Sequence, residues 1–350
     1  MDNKIIFYAP NIHVGGGYIL LKEVLKEWPK NESAVFFLDK RIKKYFSLDF
    51  NSQNKIYWVK NSIFSRLINE IRISLISKEN STLICFHGIP PLIANYSYVI
   101  VFFQNRILLG IDSILKFPIK TRIRLFFERW IAKTYAYKVD EYIVQTKSMA
   151  FNLRNWLNKN NKAKINLFPF FNFLPFNKGD ELDKVKLYDF IYVSGDESHK
   201  NHINLLKAWE LLSEKNIYPL LALTVPKENQ GLNGRIADIN NRKNLKIVNL
   251  GSLQHNNILR AYKSSQALIF PSYSESFGLP LIEAGSLDMP IIASEMDFVR
   301  DVCNPKETFD PHSPLSICNA VLRFMNEEDE LNKIHSCKDF NELLISKRID

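Results

Sequence analysis

The sequence predicts an α/β protein of two domains, each built on a parallel sheet. Three observations carry this. The chain has 350 residues, and at about 100 to 200 residues per domain it divides into two units able to bury separate cores. Hydrophobic residues make up 46 % and charged ones 24 %, the balance of a globular protein and not of a disordered or fibrous one. Short β-rich runs alternate with longer segments of helical period, the mark of β-α-β units.

In the first domain strands are expected at 4–9, 34–38, 55–59, 82–86, 98–103 and 141–145, with helices at 18–28 and 119–137. Residues 167–179, rich in Phe, Pro, Asn and Lys, have no clear period and read as a linker. The alternation then resumes over 189–193, 203–212, 220–225, 245–249, 257–264, 267–270, 279–287 and 290–293. The domains are therefore placed at 1–172 and 173–330, and the charged end, 331–350, reads as a helix that could return to the first domain.

The formal charge of +9 is unevenly spread. Residues 1–175 carry 26 Lys+Arg against 12 Asp+Glu, or +14, which leaves 20 against 25, or −5, for residues 176–350. A basic half joined to an acidic half implies two different partners. Cys85, Cys303, Cys318 and Cys337 are scattered without a C-x-x-C pair, so neither a zinc site nor a disulfide framework is suggested. The start, MDNKIIFYAP, lacks a cationic leader and apolar core, and no apolar run approaches the ~20 residues that span a bilayer. A cytoplasmic protein is expected, one that could lie on the inner face of the membrane.

The most informative segment is ALIFPSYSESFGLPLIEAGSLDMPIIAS, residues 267–294. A buried-strand run breaks at Pro271, and a loop of Ser, Tyr and Glu leads through Gly278 and Pro280 into a helix. Such a strand–loop–helix start gathers free N–H groups and the positive end of a helix dipole, which suits a phosphate. Glu275 falls in the loop and Glu283 about one turn into the helix, where a carboxylate can accept two hydrogen bonds from a vicinal diol such as ribose. Taken alone, Glu275 is equally a solvated loop acid, and Glu283 a stabiliser of the first helical turn.

PSYSESFGLPLIEA resembles the donor-site motif of the retaining nucleotide-sugar glycosyltransferases of glycosyltransferase family 4, in which two glutamates bracket seven residues. FIYVSGDESHKNHINLL (190–206), the strand and glycine at 248–253, and YAPNIHVGGGYILLKEVL near the start resemble further family segments. The resemblance implies the GT-B fold, two Rossmann-like domains with parallel sheets facing across a cleft, with the donor held mainly by the second. It places Glu283 on the donor ribose, Glu275 on the transferred sugar, and the N–H groups of Ser276, Phe277 and Gly278, with Leu279 beside them, on the diphosphate. Lys200, after the turn at Gly195, would stabilise negative charge on the leaving diphosphate. No Asp-x-Asp is present, which fits a metal-independent enzyme without cofactor. Many family members carry Arg after that glycine, where this chain has Asp196. One cationic contact is thus lost or supplied from elsewhere.

In the first domain, Gly15, Gly16 and Gly17 would let donor phosphates or acceptor approach the backbone. Gly15-x-Gly17-x-x-Leu20 with Asp39 also mimics part of a nicotinamide dinucleotide fingerprint, although Leu20 replaces its third glycine. His87 in CFHGIPP is the first candidate for a catalytic polar group near the sugar, and Gln104 the second; a strand-end His is also a common structural residue. Over 119–137, Ile119, Ile123, Phe126, Phe127, Trp130 and Ile131 fall at helical spacing among Lys120, Arg122, Arg124, Arg129 and Lys133. Two readings stay open. Either the apolar stripe enters the core and the basic side is solvated, or Arg122, Arg124 and Arg129 face anionic lipid while 107–111 dip into the interface.

The expected function is transfer of a hexose-type sugar from a nucleoside-diphosphate sugar to a hydroxyl of a glycan or lipid-linked oligosaccharide, in O-antigen-like or capsule-like surface polysaccharide synthesis. The competitors are a sugar-nucleotide epimerase on the same fold and a basic nucleic-acid-binding protein. The sequence pI near 9.1 suggests the latter, but no aromatic single-strand platform or recognised helix motif accompanies the charge, so no nucleic-acid partner is expected.

Overall fold

The computed structural model describes residues 4–45, 54–76, 81–93, 98–111, 114, 117–171 and 186–326. The first sheet has seven strands, β1 (Lys4–Ala9), β2 (Ala34–Asp39), β3 (Lys55–Val59), β4 (Ser81–Cys85), β5 (Tyr98–Phe102), β6 (Glu141–Val144) and β7 (Lys164–Leu167). Their order is β3-β2-β1-β4-β5-β6-β7, with every pair parallel. All six residues of β2, AVFFLD, are buried, as a continuous apolar run must be when helices cover both faces of a parallel sheet. The crossovers include α1 (Gly15–Lys26), α2 (Ile63–Ile76), α3 (Ile119–Thr134) and α4 (Lys147–Trp156).

The second sheet has six strands, β8 (Tyr188–Tyr192), β9 (Leu221–Leu223), β10 (Ile247–Asn249), β11 (Ser265–Phe270), β12 (Ile291–Ser294) and β13 (Glu307–Phe309). The order β10-β9-β8-β11-β12-β13 repeats that of the first six strands of the other sheet, again all parallel. Its helices are α5 (His202–Glu214), α6 (Gln230–Lys243), α7 (His255–Lys263), α8 (Leu279–Ser286), α9 (Asp297–Arg300) and α10 (Pro314–Phe324). Each sheet reverses its strand order once, between β1 and β4 and between β8 and β11. Beyond the carboxyl ends of strands at such a reversal lies the usual ligand crevice of open α/β sheets.

The second domain has one core, centred on the fully buried Trp209, whose Nε1 donates to the Pro219 carbonyl at 2.9 Å. The first domain has a core on each face of its sheet. One of them, built around Phe7, Phe36, Phe86 and Phe102, also receives Phe277 and Leu279 from the second domain. The domains are thus joined by apolar packing at the start of α8.

The expected strands recur within one or two residues at most positions, but α2, α4, α6, α9, α10, β7 and β13 were not anticipated. β7 is an edge strand in which only Ile165 is not exposed, so it has no alternation to read, and it occupies the first residue of the expected linker. The glycines read as a loop form the first turn of α1, with Gly15 at φ +70°. The boundary at 172/173, most of the linker and the terminal helix at 331–350 lie outside the described residues.

Candidate functional site

β8 ends at Tyr192 and the chain turns through Gly195 into residues 198–200 before α5 begins. Tyr192 is fully buried, and its hydroxyl lies 2.8 Å from the Lys200 carbonyl and 2.9 Å from Ser272 Oγ, tying the turn to the end of β11. Asn201 holds the left-handed conformation at φ +61°. Its buried Nδ2 donates to the carbonyls of Pro271 at 2.9 Å and Pro311 at 2.7 Å. A short amide side chain tolerates that backbone and satisfies two interior carbonyls. Together these contacts aim Lys200 at the loop after β11.

There Lys200 Nζ donates to Glu275 Oε1 at 2.7 Å, with both side chains largely shielded from solvent. The pair stands at a cleft of about 290 Å³ whose walls come from both domains: Asn105, Arg106 and Ile107 on one side, Ser198, His199 and 273–276 on the other. Ser276 Oγ accepts from the Arg106 backbone N–H at 3.1 Å, a bond across the cleft. Gly278 caps α8 at φ +72° with Pro280 in the first turn, so the helix begins beside Glu275 with its N–H groups unpaired by any preceding turn. The side chains of Phe277 and Leu279 are buried in the core shared with the first domain.

Glu283 is 4 % exposed and accepts a hydrogen bond from the Tyr262 hydroxyl at 3.0 Å. Burial pushes its carboxyl up to about 7, and the Tyr262 bond opposes that shift only in part. Asp196 accepts from Asn229 Nδ2 at 2.7 Å on the exposed rim. It adds no cation where the family resemblance implies one. Among the described residues no three His, Cys, Asp or Glu side chains are grouped to hold a metal ion.

On the first-domain side, His87 follows β4, and its Nδ1 lies 3.4 Å from the Tyr8 carbonyl, which fixes Nδ1 as the donor and leaves Nε2 as an acceptor. Burial, with the Arg66 charge, pushes its pKa down to about 3. His87, Gln104 and Gly17 line a second cleft of about 260 Å³. A Cβ at Gly17 would lie 3.1 Å from Gln104 Oε1 and one at Gly16 would lie 3.0 Å from Leu279 Cδ1, so these glycines admit a neighbouring side chain and the second domain. Asp39, the acid of the dinucleotide reading, is committed elsewhere: it accepts from the N–H groups of Asn11 at 3.0 Å and Arg41 at 2.8 Å and from the Arg41 guanidinium at 2.7 Å. Burial opposes its charge, but the Arg41 bonds win and hold its pKa low.

α3 departs from one expectation of each reading. The apolar stripe is not in the core: Ile119, Ile123, Phe126, Phe127 and Trp130 are all exposed, Phe126 by 61 %, and only Leu125 and Ala132 are buried. In the stretch expected to dip into lipid, Leu108 and Leu109 are buried in the domain core. Arg122 Nε donates to the Phe117 carbonyl and Arg129 Nε to the Ile107 carbonyl, at 2.7 and 2.8 Å, while Arg124 lies 3.9 Å from Glu128. Helical period cannot tell which face neighbouring elements leave open.

Residues 175–338 match the family described as glycosyl transferases group 1. Over that stretch, just under half of its length, the chain is similar to this family. The stretch holds Gly195, Lys200, Glu275, which lines the cleft, and Glu283 on α8. The serotype-specific mannosyltransferase WbdA of Escherichia coli is 30 % identical over 136 residues, 38 % of this chain and 16 % of that protein. The O-antigen chain mannosyltransferase B of Escherichia coli is 24 % identical over 141 residues, 39 % of this chain and 37 % of that protein. The chain therefore spans a minor part of the curated relatives it matches. Among solved structures, sucrose-phosphate synthase of Thermosynechococcus elongatus superposes with a TM-score of 0.68 at 15 % identity, covering 92 % of this chain and 90 % of that one. HepE of Anabaena, in complex with UDP-glucose, superposes at 0.64 and 14 % identity, covering 93 % and 90 %. The fold is GT-B, as the resemblance implied.

Around this site, Asn105 and Arg106 follow the Gln104 candidate in the same VFFQNR run, whereas Asn201 and Tyr262 are positions that sequence reasoning missed. Asn201 had a local signal, an Asn just before a helix. Tyr262 had none, because its partnership with Glu283 joins α7 to α8.

Proposed function

We propose that the chain is a retaining, metal-independent glycosyltransferase that moves a hexose from a nucleoside-diphosphate sugar to a hydroxyl of a glycan or lipid-linked acceptor in surface-polysaccharide synthesis. The carrying observation is the Lys200–Glu275 pair at 2.7 Å on a cleft walled by both domains, with Glu283 on the helix that starts beside it. Breaking a glycosyl–phosphate bond builds negative charge on the diphosphate, and Lys200 with the α8 N-terminus would stabilise that charge. Glu283 would accept from the ribose diol and Glu275 would orient the sugar. Neutral His87, with Nε2 free to accept, would contact the sugar or acceptor hydroxyl from the opposite wall. In a front-face retaining reaction the leaving diphosphate itself takes the acceptor proton, so no protein base is required.

The mannosyltransferase relatives favour a hexose donor, and the Anabaena neighbour is a UDP-glucose complex. No described helix is long and apolar enough to cross a membrane, so contact with an anionic membrane would be peripheral. The test is a thermal-shift screen of GDP-mannose, UDP-glucose and related donors, then turnover of the stabilising donor with glycan acceptors, with NMR of the product anomer. Nucleoside diphosphate released in step with a retained-configuration glycoside, undiminished by EDTA, supports the proposal. An epimerised nucleotide sugar without glycoside, or no donor binding at all, overturns it.

A further inference from the structure

A further hollow lies in the first domain, apart from the Lys200–Glu275 cleft. It is a groove of about 940 Å³ between α2 and α3, with Tyr8 and His87 at its floor. Its chemistry is divided. Leu67, Ile123, Phe127 and Ile131 give it apolar walls, while Arg41, Arg66, Lys120 and Arg124 stand against only Glu70 and Glu128 among its ionisable acids. Burial raises the pKa of both glutamates, against the charges of Lys138 and Arg66 on Glu70 and of Arg124 and Arg66 on Glu128. The apolar character continues outward on both helices, with Phe64, Ile68, Ile71 and Leu75 exposed on α2 and Phe126 and Trp130 on α3. Exposed side chains of this size on two adjacent helices form a patch that water alone does not favour.

The groove adjoins a smaller hollow that in turn adjoins the Glu275 cleft. Arg66, His87 and Arg124 line both it and the smaller hollow containing Gly17 and Gln104, and Asn105 lines that hollow and the cleft of Glu275. A ligand lying in the groove with its polar end inward would meet the cations, then His87, then the donor side.

We infer that the α2–α3 groove is the acceptor site for a long-chain lipid phosphate, its hydrocarbon along Leu67, Ile123 and Phe127, its phosphate at Arg66 and Lys120, and its sugar end directed past His87. This rests on the transferase reading above for the direction of the sugar end. Arg41 is held by Asp39 and Arg124 lies near Glu128, so an uncharged lipid would bring no anion to Arg66 and Lys120, and a soluble glycan would leave the apolar walls in water; the divided lining selects one molecule with both parts.

The experiment measures equilibrium binding of farnesyl phosphate, farnesol and inorganic phosphate to the full chain, beside phosphatidylglycerol vesicles and a nucleotide-sugar thermal shift. Farnesyl phosphate should bind at least tenfold more tightly than farnesol or phosphate. Ile123→Gln with Phe127→Gln, both at exposed positions, should cut its affinity at least tenfold, and Arg66→Gln should reduce the preference for the phosphate over the alcohol. The nucleotide-sugar shift should be unchanged in all variants. Farnesyl phosphate binding that is absent, or unaffected by the double variant, overturns the inference, as does binding of vesicles alone. Loss of the nucleotide-sugar shift in the wild type would instead overturn the transferase reading and leave the lipid result standing as a measurement of the groove.

Discussion

Lys200 Nζ and Glu275 Oε1 stand 2.7 Å apart although 75 residues separate them in the chain. The contact brings the turn after β8 to the loop after β11, the two strands between which the second sheet reverses its order. Each charge is the other's partner, so a donor diphosphate would compete with Glu275 for Lys200 while its sugar takes up the released carboxylate.

Replacing either member should therefore cost activity far more than stability. Lys200→Ala and Glu275→Ala should each lower kcat by about 100-fold or more, the scale seen on removal of a group that stabilises developing charge. Thermal unfolding should shift only by a few degrees, and the double variant should be less than additive because the two side chains touch. Steady-state kinetics with calorimetry check this. Near-wild-type turnover in both single variants would remove the site.

Glu283 makes a pH prediction whose sign follows from burial. Its folded pKa is raised to about 7 from an ordinary 4.5, so between those values the folded protein binds more protons than the unfolded chain. Stability should then fall as pH rises through that window, by on the order of 3 kcal/mol. Glu283→Gln should flatten the decline. Donor affinity should move the other way, rising as the carboxylate ionises near pH 7. Denaturation midpoints and donor Kd from pH 5 to 8 read both slopes, and a flat wild-type stability profile would contradict the burial.

His87 should show no titration of its own in that range, because burial holds its pKa near 3. The imidazole is neutral at pH 7 and can act only through hydrogen bonds. His87→Ala should lower kcat/KM by about tenfold, the loss of one positioned neutral hydrogen bond, without altering the pH profile between 5 and 8. A histidine NMR titration near 6.5 assigned to His87 would refute this.

Asn201 should be the costliest small substitution near the site. Asn201→Ala removes both bonds to the Pro271 and Pro311 carbonyls and puts a Cβ-bearing residue without a local polar group into the left-handed region. A loss of about 2–4 kcal/mol is expected from the orphaned Pro271 carbonyl, the lost bond to Pro311, which keeps Asn204 at 3.0 Å, and the strain. Asn201→Gly, which relieves the backbone but not the carbonyls, should recover part of it in urea denaturation, and Asn201→Ala should raise the donor KM because Lys200 loses its anchor.

The junction of the domains offers a compensation test. Gly16→Ala places a methyl 3.0 Å from Leu279 Cδ1 and should destabilise by about 1–2 kcal/mol as an overpacked contact. In a Leu279→Ala background the same change should cost markedly less. Equal costs in both backgrounds, measured by chemical denaturation, would show that the two residues do not share the contact.

Two parallel sheets, most strands within a residue or two, and a strand, loop and helix start carrying Glu275 and Glu283 were legible in the chain by itself. Those features are local: a buried parallel strand must be continuously apolar, and a phosphate-facing helix start needs its Gly and Pro at fixed spacing. What only the tertiary structure decided is which partners those residues meet. Four cations of the basic first half line one groove between α2 and α3. The apolar stripe of α3 lies in the open because no neighbouring element covers it among the described residues, a fact no period encodes. The dinucleotide acid Asp39 is taken by Arg41, the Glu283 carboxyl is pushed up to about 7 by burial against the opposing Tyr262 bond, and Gly16 admits Leu279 of the other domain. Each depends on desolvation and contact between segments far apart in sequence, which periodicity and spacing do not specify.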